Sequence, residues 1–235
     1  MKKPKWHTIG LSVAILVLVT ATAYLATDGL DLKADVPPDE PQMTVVVRDG
    51  SYTEKAALSK EIRDRHKTST DTSEVIKQIG TVTITQSDFD DMKKMYELNA
   101  ERDLEDDEVL SLIGRSRYIE LVSKDLGFEA SEEEIDNYIA YQKQIIAESE
   151  EATKEIEAFA NAQGLSIEEY YKTMRPGIAK LIITGKYKDY MLDNVLDKKN
   201  TTTNPKDLIN KHMNELKKNW EKAIYDYQED KTLFQ

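Results

Sequence analysis

A mainly α-helical fold, with one or two short strands at its start, is predicted for this chain by three observations. Apolar residues recur at helical spacing through most of the stretch from Leu104 to Leu196. Glycines and Ser-x-x-Glu pairs punctuate that stretch as stops and starts. A closing segment after Pro205 repeats apolar residues every four and three positions.

The elements follow in chain order. Lys2, Lys3 and Lys5 precede an uncharged apolar run from Thr8 to Ala26, and Asp28, Asp31 and Asp35 follow it. The charge asymmetry keeps the short end in the cytoplasm and puts the bulk outside. About 19 residues suit a membrane span near its lower limit, so residues 1–26 read as an N-terminal signal-anchor or transmembrane segment. Ala21, Thr22 and Ala23 would serve as a cleavage site, and cleavage would make the protein secreted. Residues 27–73 read as an extracytoplasmic linker, acidic and carrying Pro37, Pro38 and Pro41, with minor local structure. Within it 53–66 is a charged helix candidate with only Ala56, Leu58 and Ile62 to pack.

Residues 74–235 read as one helical domain. Val75 to Ile84 supplies the strands around Gly80, and Thr85 caps a helix carrying Phe89, Met92 and Met95. Val109, Leu112, Ile119, Val122 and Leu126 share a helix face that Gly127 ends. Ser131 with Glu134 opens the next helix as a capping box, with Ile135, Tyr138, Ile139, Gln142 and Ile146 on its face. Ile156, Phe159 and Ala160 mark a shorter helix ending at Gly164. Ser166 with Glu169 repeats the box, and Tyr170, Tyr171 and Met174 lead to Pro176, where a kink is expected, followed by Ile178, Leu181, Ile182, Leu192 and Val195. Asn204 and Pro205 then start a single closing helix over 205–230, with Ile209, Met213, Leu216, Trp220, Ala223 and Tyr227 on its seam.

A net charge of −12 argues against a nucleic-acid binder, and the absence of cysteine excludes disulfides, thiolate zinc sites and thiol catalysis. The acidic clusters at Asp106 to Glu108 and Glu132 to Glu134 lie at helix starts, where the dipole favours them by ~0.3 to 1 kcal/mol each, so they need no metal or catalytic role. No calcium-loop, phosphate-loop or Ser-His-Asp spacing stands out, and neither a cofactor nor a small-molecule substrate is expected. Met92, Met95, Tyr96, Tyr138, Tyr141, Tyr170, Tyr171, Met174, Tyr187, Tyr190 and Met191 form the candidate peptide-binding set. Flexible thioethers and phenols with a polar tip adapt to many sequences, although each residue singly also fits a core or boundary position.

The order of these signals resembles the amino-terminal module of the SurA and PrsA family of secreted chaperones and, more distantly, the carboxy-terminal region of trigger factor. The resemblance is carried by Ile79 to Thr85 with Asp88 and Phe89, by Leu126 to Phe128 with Ser131 to Ile135, and by Gly164 to Ser166 with Glu169 and Tyr170. Gly80 and Thr81 depart from the family's usual asparagine and glycine. Prolyl isomerases of the family carry a parvulin domain of roughly a hundred residues before the closing helix, an ordinary domain size. Here only a short segment lies between Leu196 and Asn204, and the three histidines, His7, His66 and His212, make no parvulin pair. The resemblance therefore implies a non-enzymatic, ATP-independent holdase on the membrane, binding unfolded or exported polypeptides. A non-catalytic helical scaffold that docks one specific partner in a membrane-associated assembly is the alternative.

Overall fold

The computed structural model describes residues 51–68, 73–100, 102–196 and 204–230. Both the expected anchor and most of the expected linker lie outside them. Among the described residues no helix is long and apolar enough to cross a membrane. The chain is mainly helical: α1 (Ser51–Thr68), a hairpin of β1 (Val75–Ile79) and β2 (Val82–Thr85), α2 (Gln86–Ala100), α3 (Asp106–Asp125), α4 (Glu132–Ala147), α5 (Glu150–Ala162), α6 (Ile167–Tyr190) with a π-helical turn (Met191–Leu196), α7 (Pro205–Lys218) and α8 (Trp220–Glu229).

These elements divide into two compact units, where one domain was expected from residue 74 onward. The first unit contains α1, α2 from Met95, α4, α5 and α6 as far as Ile178. The second contains the hairpin, α2 up to Lys94, α3 and the chain from Ala179.

In the first unit, Ile135, Ile139, Gln142 and Ile146 of α4 are buried, as are Ala152, Ile156, Phe159 and Ala160 of α5, and the two helices pack on each other. The Ser149 hydroxyl caps α5 by accepting from the Ala152 N–H at 3.2 Å. Ser166 and Glu169 form the reciprocal box: the Glu169 N–H donates to the Ser166 hydroxyl at 3.2 Å, and the Ser166 N–H donates to the Glu169 carboxylate at 2.8 Å. At the ends of α3 and α5 the backbone turns left-handed at Gly127 (φ 71°) and Gly164 (φ 72°), which glycine adopts without steric cost.

The segment expected to be a charged outlier within the linker is α1, and it packs on α5. Ala56 is fully buried, and the Arg63 guanidinium donates to Gln163 Oε1 at 2.9 Å and to its carbonyl at 3.0 Å. Gln163 ends α5, so a cation there meets both a free carbonyl and the negative end of the helix dipole. The buried Ala56 and the hydrogen-bonded Arg63 of this attachment are residues that hydrophobic periodicity does not register.

In the second unit, Val82 and Ile84 alternate inward from β2, and a register shift separates Val75 from Lys77 in β1. Thr85 caps α2, its hydroxyl accepting from the Asp88 N–H at 3.2 Å. Val109, Leu112, Ile119 and Val122 of α3 are buried, and α7 and α8 both pack on that helix. The single closing helix is in fact two. Asn219 (φ −121°) interrupts it, and the buried set becomes Ile209, Met213, Leu216, Trp220, Ile224 and Tyr227. Ile224 thus takes the seam position expected for Ala223. Gly114 explains why the seam is tight, since a Cβ built on it would lie 2.0 Å from Trp220 Cε3. Only a residue without a side chain leaves α3 a notch for the benzene half of the indole. The Gln228 amide of α8 reaches the hairpin turn, Oε1 accepting from the Thr81 N–H at 3.1 Å and Nε2 donating to the Ile79 carbonyl at 3.4 Å.

Candidate functional site

The eleven tyrosines and methionines of the candidate binding set fall in both units. Met95, Tyr96, Tyr138, Tyr141, Tyr170, Tyr171 and Met174 belong to the first, and Met92, Tyr187, Tyr190 and Met191 to the second. Eight of the eleven are buried, all but Tyr138, Tyr141 and Tyr190, and Tyr187 has no exposed surface at all. Their side chains are therefore packing material in this conformation. The reason is positional: Tyr170, Tyr171 and Met174 lie within one turn of α6, where their combined apolar area has to be covered. Tyr141 is the exception, at 58% exposed on the outer face of α4.

What the set does build is a ring cluster in the first unit. Tyr170 meets Phe159 edge-on at 5.8 Å between centroids and Tyr171 at 5.9 Å, and the Lys143 ammonium lies 4.7 Å from the Tyr171 ring centre. Burial pushes the Tyr171 phenol up to about 12, and burial followed by the neighbouring Tyr171 raises that of Tyr170 further. The Tyr170 hydroxyl is buried without a hydrogen-bond partner. In the second unit two phenols have hydroxyl partners and a third tyrosine has a ring contact. Tyr187 is 2.8 Å from His212 Nε2, Tyr227 donates to Asp125 at 3.2 Å, and Tyr190 meets Phe128 edge-on at 5.7 Å. Burial lowers the His212 pKa, with Glu215 opposing. Burial thus favours the neutral form of the Tyr170, Tyr171 and Tyr187 phenols.

An open feature of the second unit is a cleft of about 690 Å³. Lys77 reaches it from β1, Leu110 and Asp107 from the first turns of α3, Asn214 and Lys218 from the end of α7, and Trp220 from the start of α8. The break at Asn219 brings the last two helices to the cleft by adjoining ends, because Lys217 and Lys218 end α7 and Trp220 and Glu221 begin α8. Lys77 pairs with Glu221 at 2.7 Å and Lys217 with Glu108 at 3.6 Å. Among the described residues Lys218 has no ion-pair partner. Sequence reasoning placed Trp220 on the seam and passed over the lysines. Their convergence depends on a strand and a helix end 140 residues apart, and no local pattern encodes it. Among the described residues no three His, Asp or Glu side chains are grouped to hold a metal ion.

Comparison with protein-family models, with curated proteins and with solved structures finds no match.

Proposed function

We propose that the protein is an extracytoplasmic, membrane-anchored chaperone that holds unfolded or exported polypeptides without ATP or cofactor, as its resemblance to the SurA and PrsA family implies. The observation that supports this reading best is the cleft of the second unit. Its volume is that of a ligand site, and its lining mixes ammonium, amide and carboxylate groups with Leu110 and one indole. Such a lining suits the alternating donors and acceptors of an extended chain. Binding would be weak and exchangeable, because burial contributes only ~25 cal/mol per Å² against the cost of ordering a flexible client. The charge of −12 would keep client complexes apart and in solution.

A second reading is favoured by the burial of eight of the eleven adaptable tyrosine and methionine side chains. A promiscuous holdase needs adaptable apolar surface, whereas a scaffold that docks one partner needs only one complementary patch. The full chain should therefore be mixed with several unrelated unfolded proteins and their aggregation followed by light scattering without ATP. Delay of most clients at near-stoichiometric ratios is the expected result. Protection of none, together with recovery of a single partner on the immobilised chain, would replace the chaperone with the scaffold.

A further inference from the structure

We propose that the Tyr187 and His212 pair is an acid-released latch: proton uptake by His212 undocks α7 and bares an apolar surface that takes an apolar segment of an unfolded client. The inference rests on the chaperone reading only in naming the client. It also removes a conflict within that reading, because a holdase needs adaptable apolar surface while Tyr187 and Met191 are buried. Tyr187 is tied to α7 through His212, and α7 packs on the π-helical turn that Met191 begins. Undocking α7 frees that side together with its own Met213 and Leu216.

Three of the 14 residues of α7 are buried, Ile209, Met213 and Leu216, against nine of the 20 in α3, on which it packs. A helix with so few buried side chains opens at low cost. With the imidazole neutral, one atom of the pair donates and the other accepts at 2.8 Å. Protonated, the imidazole offers N–H donors alone, and the fully buried Tyr187 hydroxyl loses this acceptor. The phenol does not follow by ionising, because burial raises its pKa. Burial also opposes a charge on the part-buried His212, while Glu215, one turn along α7, favours it. On the elements around the pair, Glu108 of α3 and Glu221 of α8 are each engaged by a lysine, Asp193 of the π-helical turn is exposed, and Arg115 of α3 and Lys188 of α6 are cations. In the undocked helix the imidazole has its usual pKa of about 6.5, above that of the docked one. The docked state is therefore complete above about pH 6.5 and loses ground as the pH falls towards the docked pKa, with the open fraction rising up to about tenfold by about pH 5.5. A client that selects the open form gains the same factor in apparent affinity.

The test is hydrogen exchange of the full chain at about pH 7.5 and about pH 5.5, corrected for the intrinsic pH dependence of exchange. Expected is a loss of protection across residues 205–218 of up to about tenfold in acid, with α3 unchanged. His212→Gln keeps a hydrogen-bonding side chain without the proton site, so its α7 should not respond to pH. His66→Gln, the same change elsewhere in the chain, should keep the parent's response. Aggregation of an unfolded client at about pH 5.5 is followed in parallel, and its suppression should need several-fold less parent than His212→Gln. Equal exchange responses in the parent and His212→Gln, or opening of α3 together with α7, would overturn the latch. Release of α7 without protection of any client sinks the chaperone reading and spares the latch. Equal protection by the two proteins in acid spares the chaperone reading and overturns the latch's part in it.

Discussion

The most buried tyrosines of the two units are treated in opposite ways. In the second unit Tyr187 and Tyr227 each have a hydroxyl partner, His212 and Asp125, and Trp220 fills a notch made by Gly114. In the first, Tyr170 packs against Phe159 and Tyr171 with its hydroxyl unpartnered. A hydroxyl with one partner in one geometry fixes the register of the helix that carries it, whereas ring packing fills volume and tolerates small shifts. The most buried tyrosines of the second unit are thus held by directed contacts, and that of the first by ring packing.

The largest effect expected from breaking this difference lies at the notch. Trp220→Ala should destabilise the second unit by about 4 kcal/mol, as loss of a buried aromatic residue does. Gly114→Ala should cost about 3 kcal/mol, because a methyl group 2.0 Å from the indole forces backbone or ring to move. Combined, the two should cost clearly less than their sum, since removing the ring removes the clash. Urea unfolding followed by circular dichroism measures all three. Additive losses would mean that the ring and the glycine do not share a contact.

The corresponding break in the first unit is smaller. Arg63→Ala should cost about 1.5 kcal/mol, the low end for hydrogen bonds to a charged group, because the side chain is part-buried. Arg65→Ala, which loses an exposed pair with Glu61, should change stability by less than about 0.5 kcal/mol. Hydrogen exchange across α5 separates the outcomes: if Arg63→Ala leaves the amides near Gln163 as protected as before, α1 does not close that helix end.

Why the packing of α1 escaped the sequence reading while that of α7 did not follows from the same physics. Ile209, Met213, Leu216 and Trp220 announce themselves by spacing, and each is buried. α1 offers Ala56 and a charged residue whose partner lies 100 positions away, so composition makes it look like a solvated spacer. The capping pairs at Thr85 and Ser166 and the left-handed glycines at 127 and 164 were legible because their interactions are local. The break at Asn219 was not, since asparagine is neutral enough to pass for a helix residue, and the inward turn of Ile224 in place of Ala223 follows from that break. The tyrosine and methionine set was legible as residues needing contact. Composition could not tell whether the contact would be a client or the rest of the chain, and burial shows the chain supplying it for eight of them.

The contrast between partnered and unpartnered hydroxyls also predicts a difference in pH response. Burial holds the His212 pKa below its usual value of about 6.5, so protonation costs more in the folded chain than in the unfolded one. The sign follows from linkage: stability is complete above about pH 6.5 and is lost as the pH falls from there towards the folded pKa. Denaturation midpoints measured from pH 7.5 down to about pH 5 should drop further in the parent than in His212→Gln, which has nothing to protonate there. Parallel curves for the two proteins would show that His212 is not desolvated by the docking of α7. Tyr170 and Tyr187 stay neutral throughout this range because burial raises both.

The smallest expected effect has the opposite sign. Tyr170→Phe removes one oxygen that is buried and makes no hydrogen bond, while the ring stays against Phe159 and Tyr171. In the unfolded chain that hydroxyl is hydrated, so folding forfeits its hydration without return. Relieving that penalty should raise stability by up to about 1 kcal/mol, offset in part by the small void left behind. Tyr187→Phe is the matching change in the second unit. There the hydroxyl is 2.8 Å from His212 Nε2, and its removal leaves a part-buried imidazole nitrogen without that partner, so a loss of about 1 kcal/mol is expected. The pair of single-atom deletions therefore tests the contrast between the units with almost no change in volume. If both variants lose stability by similar amounts, the Tyr170 hydroxyl is hydrogen-bonded in solution, and directed contacts hold the first unit as firmly as the second.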